Sequence, residues 1–301
     1  MAQDKVYAVI NDRIMALLDR GIVPWRRPWR TVSGTTTDPV NSQGRPYRGL
    51  NRLVLGAVAM AEGYGSNVWM TYKQANTLGG KVKTGEKGTA AIFWKQLEVP
   101  DAEAKNGKKT IPMLRYFTLF NLDQTESVKL PKRMTEAVVE KTERDAIEAA
   151  EAIVKAMPNA PKVTETKSNR AFYVPAYDAV TVPLREQFNT VEEFYSTLFH
   201  ELTHSTGHES RLNRKGSAEV SHQFGDAPYA REELVAEMGN AFLSASAGID
   251  PATLENSAAY IANWKKALGD DPQCLVKAAS AGQRAADYIL GTTPDYAKKE
   301  S

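Results

Sequence analysis

The sequence predicts an α+β protein of two domains, and three observations carry that reading. At 301 residues the chain is long enough for two cores. Its charge is divided: residues 1–127 hold 18 Lys and Arg against 11 Asp and Glu, and residues 128–301 hold 20 against 25, so a net +2 conceals +7 and −5. Four of the five tryptophans, Trp25, Trp29, Trp69 and Trp94, lie in the basic part. The expected division is a polyanion-binding domain over 1–127, a linker over 128–141 punctuated by Pro131, and a second domain over 142–301 with a different task. Apolar content of 42% and charged content of 25% are those of an ordinary folded chain. The opening MAQDKVYAVIND is charged where a signal peptide is apolar, and the longest near-apolar run, Leu53–Ala61, is too short to span a bilayer. A cytoplasmic protein without membrane contact is expected. The single cysteine, Cys274, excludes an internal disulfide and reads as a packed small residue.

Along the first domain, Val6, Ile10, Ile14 and Leu17 form one helical stripe, and Gly21 is its stop. A long loop over 22–50 follows, containing PWRRPWR from Pro24 to Arg30. Pro28 and Pro24 push the residues before them towards extended geometry, which puts Trp25, Arg27 and Trp29 on one side. That side is either a platform for unstacked bases and phosphates or two core tryptophans with solvated arginines. A second helix is expected over 50–60. In GGKVKTGEKG, Gly79–Gly88, the spacing of Gly80 and Gly85 imitates a phosphate loop, but Glu86 stands where lysine is required and Lys87 where serine or threonine is required. A basic hairpin turn fits better, leading into strand-like runs at 89–95 and 113–122. Trp69 and Trp94 fall inside regular elements, where core packing explains them at least as well.

In the second domain a helical pattern runs from Thr135 to Met157 and ends at Pro158, and 172–183 reads as short strands broken by prolines. The strongest helix covers 189–205, opening with a capping box of Thr190 and Glu193. Within it stands HELTH. His200 and His204, four apart, share one helical face and can reach one metal ion, and Glu201 beside them can hold and deprotonate a water that the ion polarises. The opposite stripe, Val191, Tyr195, Leu198 and Leu202, is apolar, so the helix buries one side and offers ligands on the other.

A catalytic site of this type needs a third protein ligand. One class of such enzymes uses a histidine six residues after the second, but that position is Ser210. In REELVAEMGNAFL, Arg231–Leu243, Glu233 and Glu237 share a face. That arrangement resembles the glutamate class of zincins, with Glu233 as ligand and Glu237 supporting a histidine from behind. His208, Glu237 itself and His222 remain alternatives for the third ligand. Glu232 points about 100° away and is expected to be solvated. An edge strand over Tyr177–Val182 is expected beside the metal. Tyr177, His208, Tyr229 and Arg231 are candidate donors to an oxyanion.

These motifs resemble the ArdC-type antirestriction proteins of conjugative plasmids, whose N-terminal region is shared with plasmid primases. The likeness rests on PWRRPW, NSQGRPYRGLN (41–51), WMTYKQANTLGGKVKTGEKG (69–88) and YFTLFNLDQTE (116–126) in the first domain. In the second it rests on HELTHSTGHESRL (200–212), YAREELVAEMGNAFL (229–243) and YIANWKKAL (260–268). The resemblance implies a single-stranded-DNA-binding domain joined to a zincin-like metallopeptidase domain, protecting incoming plasmid DNA from restriction. It implies His200, His204 and Glu233 as metal ligands, Glu201 as catalytic glutamate, and one zinc, or another divalent ion such as manganese, per chain. Host restriction machinery or another protein would be a further partner. For a DNA groove the candidates are Trp25, Arg26, Arg27, Trp29, Arg30, Tyr47, Arg48, Lys81, Lys83 and Lys87, with rings stacking on bases and cations neutralising phosphates.

Overall fold

The computed structural model describes residues 2–25, 38–100, 108–134, 143–214, 227–249 and 258–292. Contacts divide the chain into two compact units, Met1–Pro24 with Thr31–Val138, and Trp25–Arg30 with Val139–Ser301.

The first unit opens with α1 (Ala2–Asp19), whose Val6, Ile10, Ile14 and Leu17 are each no more than 4% exposed. Gly21, at φ +75°, ends it as expected: the Ile22 N–H turns back to the Leu17 carbonyl and the Gly21 N–H to that of Leu18. After β1 (Val40–Asn41) come α2 (Gly49–Ala61), β2 (Val68–Met70) and α3 (Tyr72–Thr77). Periodicity misses α3 because it is barely a turn and a half long; a capping box starts it, with Thr71 Oγ1 accepting from the Gln74 N–H and Gln74 Oε1 accepting from the Thr71 N–H.

Next are β3 (Lys81–Val82), β4 (Thr89–Pro100), β5 (Lys108–Asn121) and β6 (Thr125–Glu126). The main sheet has the order β1-β2-β5-β4, with β1 and β2 parallel and the other pairs antiparallel. The basic Gly79–Gly88 segment is not a hairpin turn into the next strand, because β3 pairs with β6 while β4 pairs with β5. Side chains that read as a solvated turn hold it there: Lys83 Nζ donates to the Asp123 carbonyl at 2.7 Å, and the Gln124 amide donates to Glu86 at 2.8 Å. Trp69 is wholly buried in β2, edge-on to Tyr64, whereas Trp94 on β4 is 49% exposed and is not a core residue.

In the second unit α4 (Glu143–Ala156) precedes β7 (Lys162–Thr166), β8 (Phe172–Val174) and β9 (Ala179–Pro183). These form a sheet of order β7-β9-β8, parallel between β7 and β9 and antiparallel between β8 and β9. The expected edge strand is therefore central: the Ala179–Pro183 backbone has a neighbour on each side, and β7 and β8 take the edges. Its start at Tyr177 is also lost, because Pro175–Tyr177 is a 3-10 turn and Asp178 sits at φ +44°.

Then follow α5 (Val191–Ser205), α6 (Ala227–Ala247), α7 (Ala258–Asp270) and α8 (Cys274–Ile289). α5 packs on β8 and β9 and against α6, whose other side is covered by α8. Alanine and glycine make that second contact close: a Cβ added at Gly282 of α8 would lie 2.9 Å from the Gly239 nitrogen of α6. Cys274 is buried and free. Among the described residues no helix is long and apolar enough to cross a membrane.

Candidate metal centre

α5 starts where Thr190 Oγ1 accepts the Glu193 N–H at 3.2 Å. Glu193 reaches back to the N–H of Asn189 at 3.0 Å, one residue before the position a capping box requires, so half of the expected box forms and the other half shifts. Phe194, Tyr195, Leu198, Phe199 and Leu202 bury one side of the helix. The other side is left with His200 and His204 one turn apart, their Nε2 atoms 3.1 Å from each other.

Glu233 reaches them from α6, with Oε2 3.5 Å from His200 Nε2 and Oε1 3.4 Å from His204 Nε2. The two helices can come this close because α6 has no side chain at Gly239; a Cβ there would lie 2.4 Å from Thr203 Cγ2. A tetrahedral ion with ligands at about 2.0–2.1 Å holds them about 3.3 Å apart. Two imidazole nitrogens and a carboxylate oxygen at 3.1–3.5 Å therefore fit a shared divalent ion in both spacing and donor chemistry. Among the described residues, these three form the cluster that could hold a metal. Glu201, beside His200, is 7% exposed.

The alternatives for a third ligand fall elsewhere. The helix ends at Ser205, so His208 leaves the ligand face, and its Nδ1 meets the Ser210 hydroxyl at 2.8 Å. Glu237 is half-buried one turn beyond Glu233, and His222 lies outside the described residues.

Glu232 corrects the expectation of a solvated side chain. It is 13% exposed, with Oε1 3.5 Å from His204 Nδ1, and it is ion-paired with Arg214. The 100° step from Glu233 leads to the outer nitrogen of the same histidine, not to water. Glu232 thus stands as a carboxylate behind His204. Arg214 also donates to the Thr203 carbonyl at 3.1 Å and to the Thr206 hydroxyl, joining Glu232 to the end of α5. Burial opposes a charge on His204, but Glu232 and Glu233 against its ring, with Glu201 nearby, push it up to about 10. Burial likewise works against the Glu233 carboxylate, and the two histidines outweigh it, holding Glu233 well below the usual carboxylate range. This field of negative charge also favours a cation.

Arg211 has no signature in the sequence beyond its charge, yet its side chain is wholly buried. Nε donates to the Ser205 carbonyl at 2.7 Å, Nη1 to the Asn159 carbonyl at 2.8 Å and Asp178 Oδ2 at 3.0 Å, and Nη2 to Asp178 Oδ1 and the Tyr173 hydroxyl. All five guanidinium donors are used. One side chain ties the end of α5 to the turn between β8 and β9.

The remaining candidates are scattered. Of the oxyanion donors, Arg231 is ion-paired with Asp271 at 2.8 Å, Tyr177 is 83% exposed, and the Tyr229 side chain lies outside the described residues. Of the DNA candidates, Trp25 is 2% exposed and packs edge-on against Trp264, so it offers no ring face to a base and is a core residue. Arg26, Arg27, Trp29 and Arg30 lie outside the described residues. Burial pushes the Tyr47 hydroxyl up to about 12. Lys81 pairs with Glu126 at 2.9 Å and Lys83 is held by the Asp123 carbonyl, while Arg48 and Lys87 are exposed.

Two family models match the chain: the N-terminal domain of anti-restriction factor ArdC over residues 4–120, and a zincin-like metallopeptidase over 148–281. Two Escherichia coli proteins named DNA primase TraC are 36% and 34% identical over 94% and 93% of this chain, which spans 20% and 26% of their own lengths. The Sinorhizobium fredii protein y4eC is 32% identical over 98% of this chain and 94% of its own. Crystal structures of the antirestriction ArdC protein of plasmid R388, metal-free and Mn(II)-bound, each superpose with a TM-score of 0.73 at 35% identity. They cover 96% and 95% of this chain and 99% and 97% of theirs.

Proposed function

The chain belongs to the ArdC antirestriction family and has a zincin-like second domain, and from that premise we propose that it protects single-stranded plasmid DNA entering a recipient cell from restriction. In this reading the first unit engages the DNA and the second holds one divalent ion, zinc or manganese. The excess of 18 basic over 11 acidic residues in 1–127 supports the first part. The second part is carried by one observation, the convergence of His200, His204 and Glu233 at 3.1–3.5 Å.

When bound, a divalent ion at such donors supplies Lewis acidity for hydrolysis. The chain's own residues supply the rest. His204 is kept in orientation by Glu232, and Glu232 by Arg214. Glu201 is the carboxylate available to take a proton from an attacking water. Its burial favours a second reading, a metallopeptidase acting on a protein that the shared DNA brings close, since an ion that only braces a fold does not require a buried acid beside its ligands.

Plasmid transfer into restricting and non-restricting recipients tests both readings. Glu201→Gln retains the ligand set and should retain bound metal. If it protects DNA as well as the parent chain does, proteolysis is not the mechanism. If the parent chain fails to retain a single-stranded oligonucleotide at low salt, the DNA reading fails. If it binds less than about one ion per chain after loading, the metal reading fails.

A further inference from the structure

Among its described residues, the exposed aromatic side chains of the first unit lie after the PWRRPWR stretch. They are Tyr72 and, on the β4–β5 ladder, Phe93 at 39%, Trp94 at 49% and Tyr116 at 47%. β4 is a terminal strand of its sheet. Near its start Asn51 of α2 bonds both the N–H and the carbonyl of Ile92, at 2.8 and 2.7 Å. Beyond that bracket both faces of the hairpin carry exposed side chains.

The register separates the faces, because directly opposed residues point the same way and the direction alternates along each strand. Trp94 faces the side of Tyr116 and of the Glu98–Lys108 ion pair. Phe93 is opposite Arg115, and its ring centroid is 5.4 Å from that of Phe117. Along that same side follow Lys95 and Lys109, and no acidic residue of the two strands points there. One side of the hairpin is aromatic with compensated charge; the other is aromatic and purely cationic.

Resting on the proposed DNA reading of the first unit, we infer that the Phe93–Arg115 face of the β4–β5 hairpin is the contact surface for single-stranded DNA. Unpaired bases stack on Phe93 beside Phe117, and phosphates lie along Lys95, Arg115 and Lys109. Charge complementarity selects this occupant: a second copy of the same face would bring three cations against three, whereas a strand with open bases satisfies both the rings and the charges.

The test measures binding of an oligo(dT) single strand and a mixed-sequence duplex by fluorescence anisotropy with the full chain, at several salt concentrations. Phe93→Ala should weaken single-strand binding about 5- to 160-fold and leave duplex binding unchanged. Lys95→Gln combined with Arg115→Gln should lower the slope of log affinity against log salt by about 1.4, for two phosphates lost. Trp94→Ala, on the opposite face, should retain parental affinity. Circular dichroism melting checks that each variant folds, and these exposed positions should leave it unchanged. If the parent chain binds and the Phe93 and Lys95/Arg115 variants bind equally well, this face is wrong while the DNA reading stands. If Trp94→Ala alone abolishes binding, the other face is the interface. If Phe93→Ala dissociates a dimer in sedimentation without touching DNA affinity, the surface is for self-association and the inference is overturned. If the parent chain does not bind at all, the DNA reading itself fails.

Discussion

Arg211→Met removes one guanidinium and leaves its acceptors stranded. The side chain is wholly buried, and its five donors serve Ser205, Asn159, both oxygens of Asp178, and Tyr173. Methionine replaces the volume but none of the hydrogen bonds. Removing one partner of a fully buried ion pair costs about 3–5 kcal/mol, and because Asp178 is a third open to solvent and regains hydration, about 2–3 kcal/mol is expected here. For a unit of this size each kcal/mol lowers Tm by about 2–4 °C, so a drop of about 4–12 °C is expected in a calorimetric scan. Combining Arg211→Met with Asp178→Leu should cost less than the sum of the single changes, because the second removes the carboxylate that the first strands. A shift under about 2 °C for Arg211→Met would refute the reading. The pH profile gives an independent check. The Arg211 hydrogen bond holds the Asp178 carboxyl below its usual value, so this stabilisation is present above the ordinary carboxylate range and is lost as pH falls through the lowered value of the folded chain. Tyr173 has the opposite sign. Burial first, and then Asp178, push its hydroxyl from 10 up to about 12, so its contribution is intact below pH 10 and disappears on the way to 12. Asp178→Asn should flatten the acid limb and Tyr173→Phe the alkaline one.

Three further outcomes are expected. Glu232→Gln should weaken metal affinity about 10- to 100-fold in a chelator competition, by releasing His204 from its outer carboxylate, and unchanged affinity would remove Glu232 from the site. Gly239→Ala should cost about 1–3 kcal/mol by forcing α5 and α6 apart, since its Cβ would meet Thr203 Cγ2 at 2.4 Å. Thr203→Ala in the same chain should recover most of that loss in urea melts, and a fully stable Gly239→Ala would show that the helices are not in close contact there. Ile14→Ala, at a wholly buried position of α1, should cost about 2–5 kcal/mol; a loss under about 1 kcal/mol would show that the stripe of α1 is not core.

The parts of the fold that could be read beforehand are those in which one element is wet on one side and dry on the other. α1 shows its stripe through Val6, Ile10, Ile14 and Leu17, and α5 shows both its apolar face and its two histidines. α8 has a wet side through Lys277 and Arg284, but its dry side is built mainly of Ala278, Ala279, Ala281, Ala285 and Ala286, and alanine marks burial only weakly. The aromatic residues are hard to place for a related reason. Ring residues in strands usually mean a covered sheet, and nothing local says that β4 is a terminal strand whose Phe93 and Trp94 remain exposed. Trp25, between two prolines in a stretch that reads as loop, is the reverse case, since its burial depends on Trp264, far along the chain.

The metal centre divides along the same physical line. A ligand pair four residues apart is a property of one helix, and its geometry is fixed once the helix forms. The carboxylate that supports a ligand depends on how two helices are set against each other. α6 carries adjacent acids, Glu232 and Glu233, and a rule of helical faces sends one to the ion and the other to water. Both are drawn inwards because Gly239 brings α6 against Thr203 of α5 while Arg214, arriving from the segment after α5, supplies the charge that lets Glu232 be buried. Burial on its own would raise the Glu232 carboxyl; His204 and Arg214 lower it, and only their sum makes a second buried acid tolerable beside Glu233. A cation from outside the motif is therefore what turns an acid that reads as solvated into the support of a candidate ligand, His204.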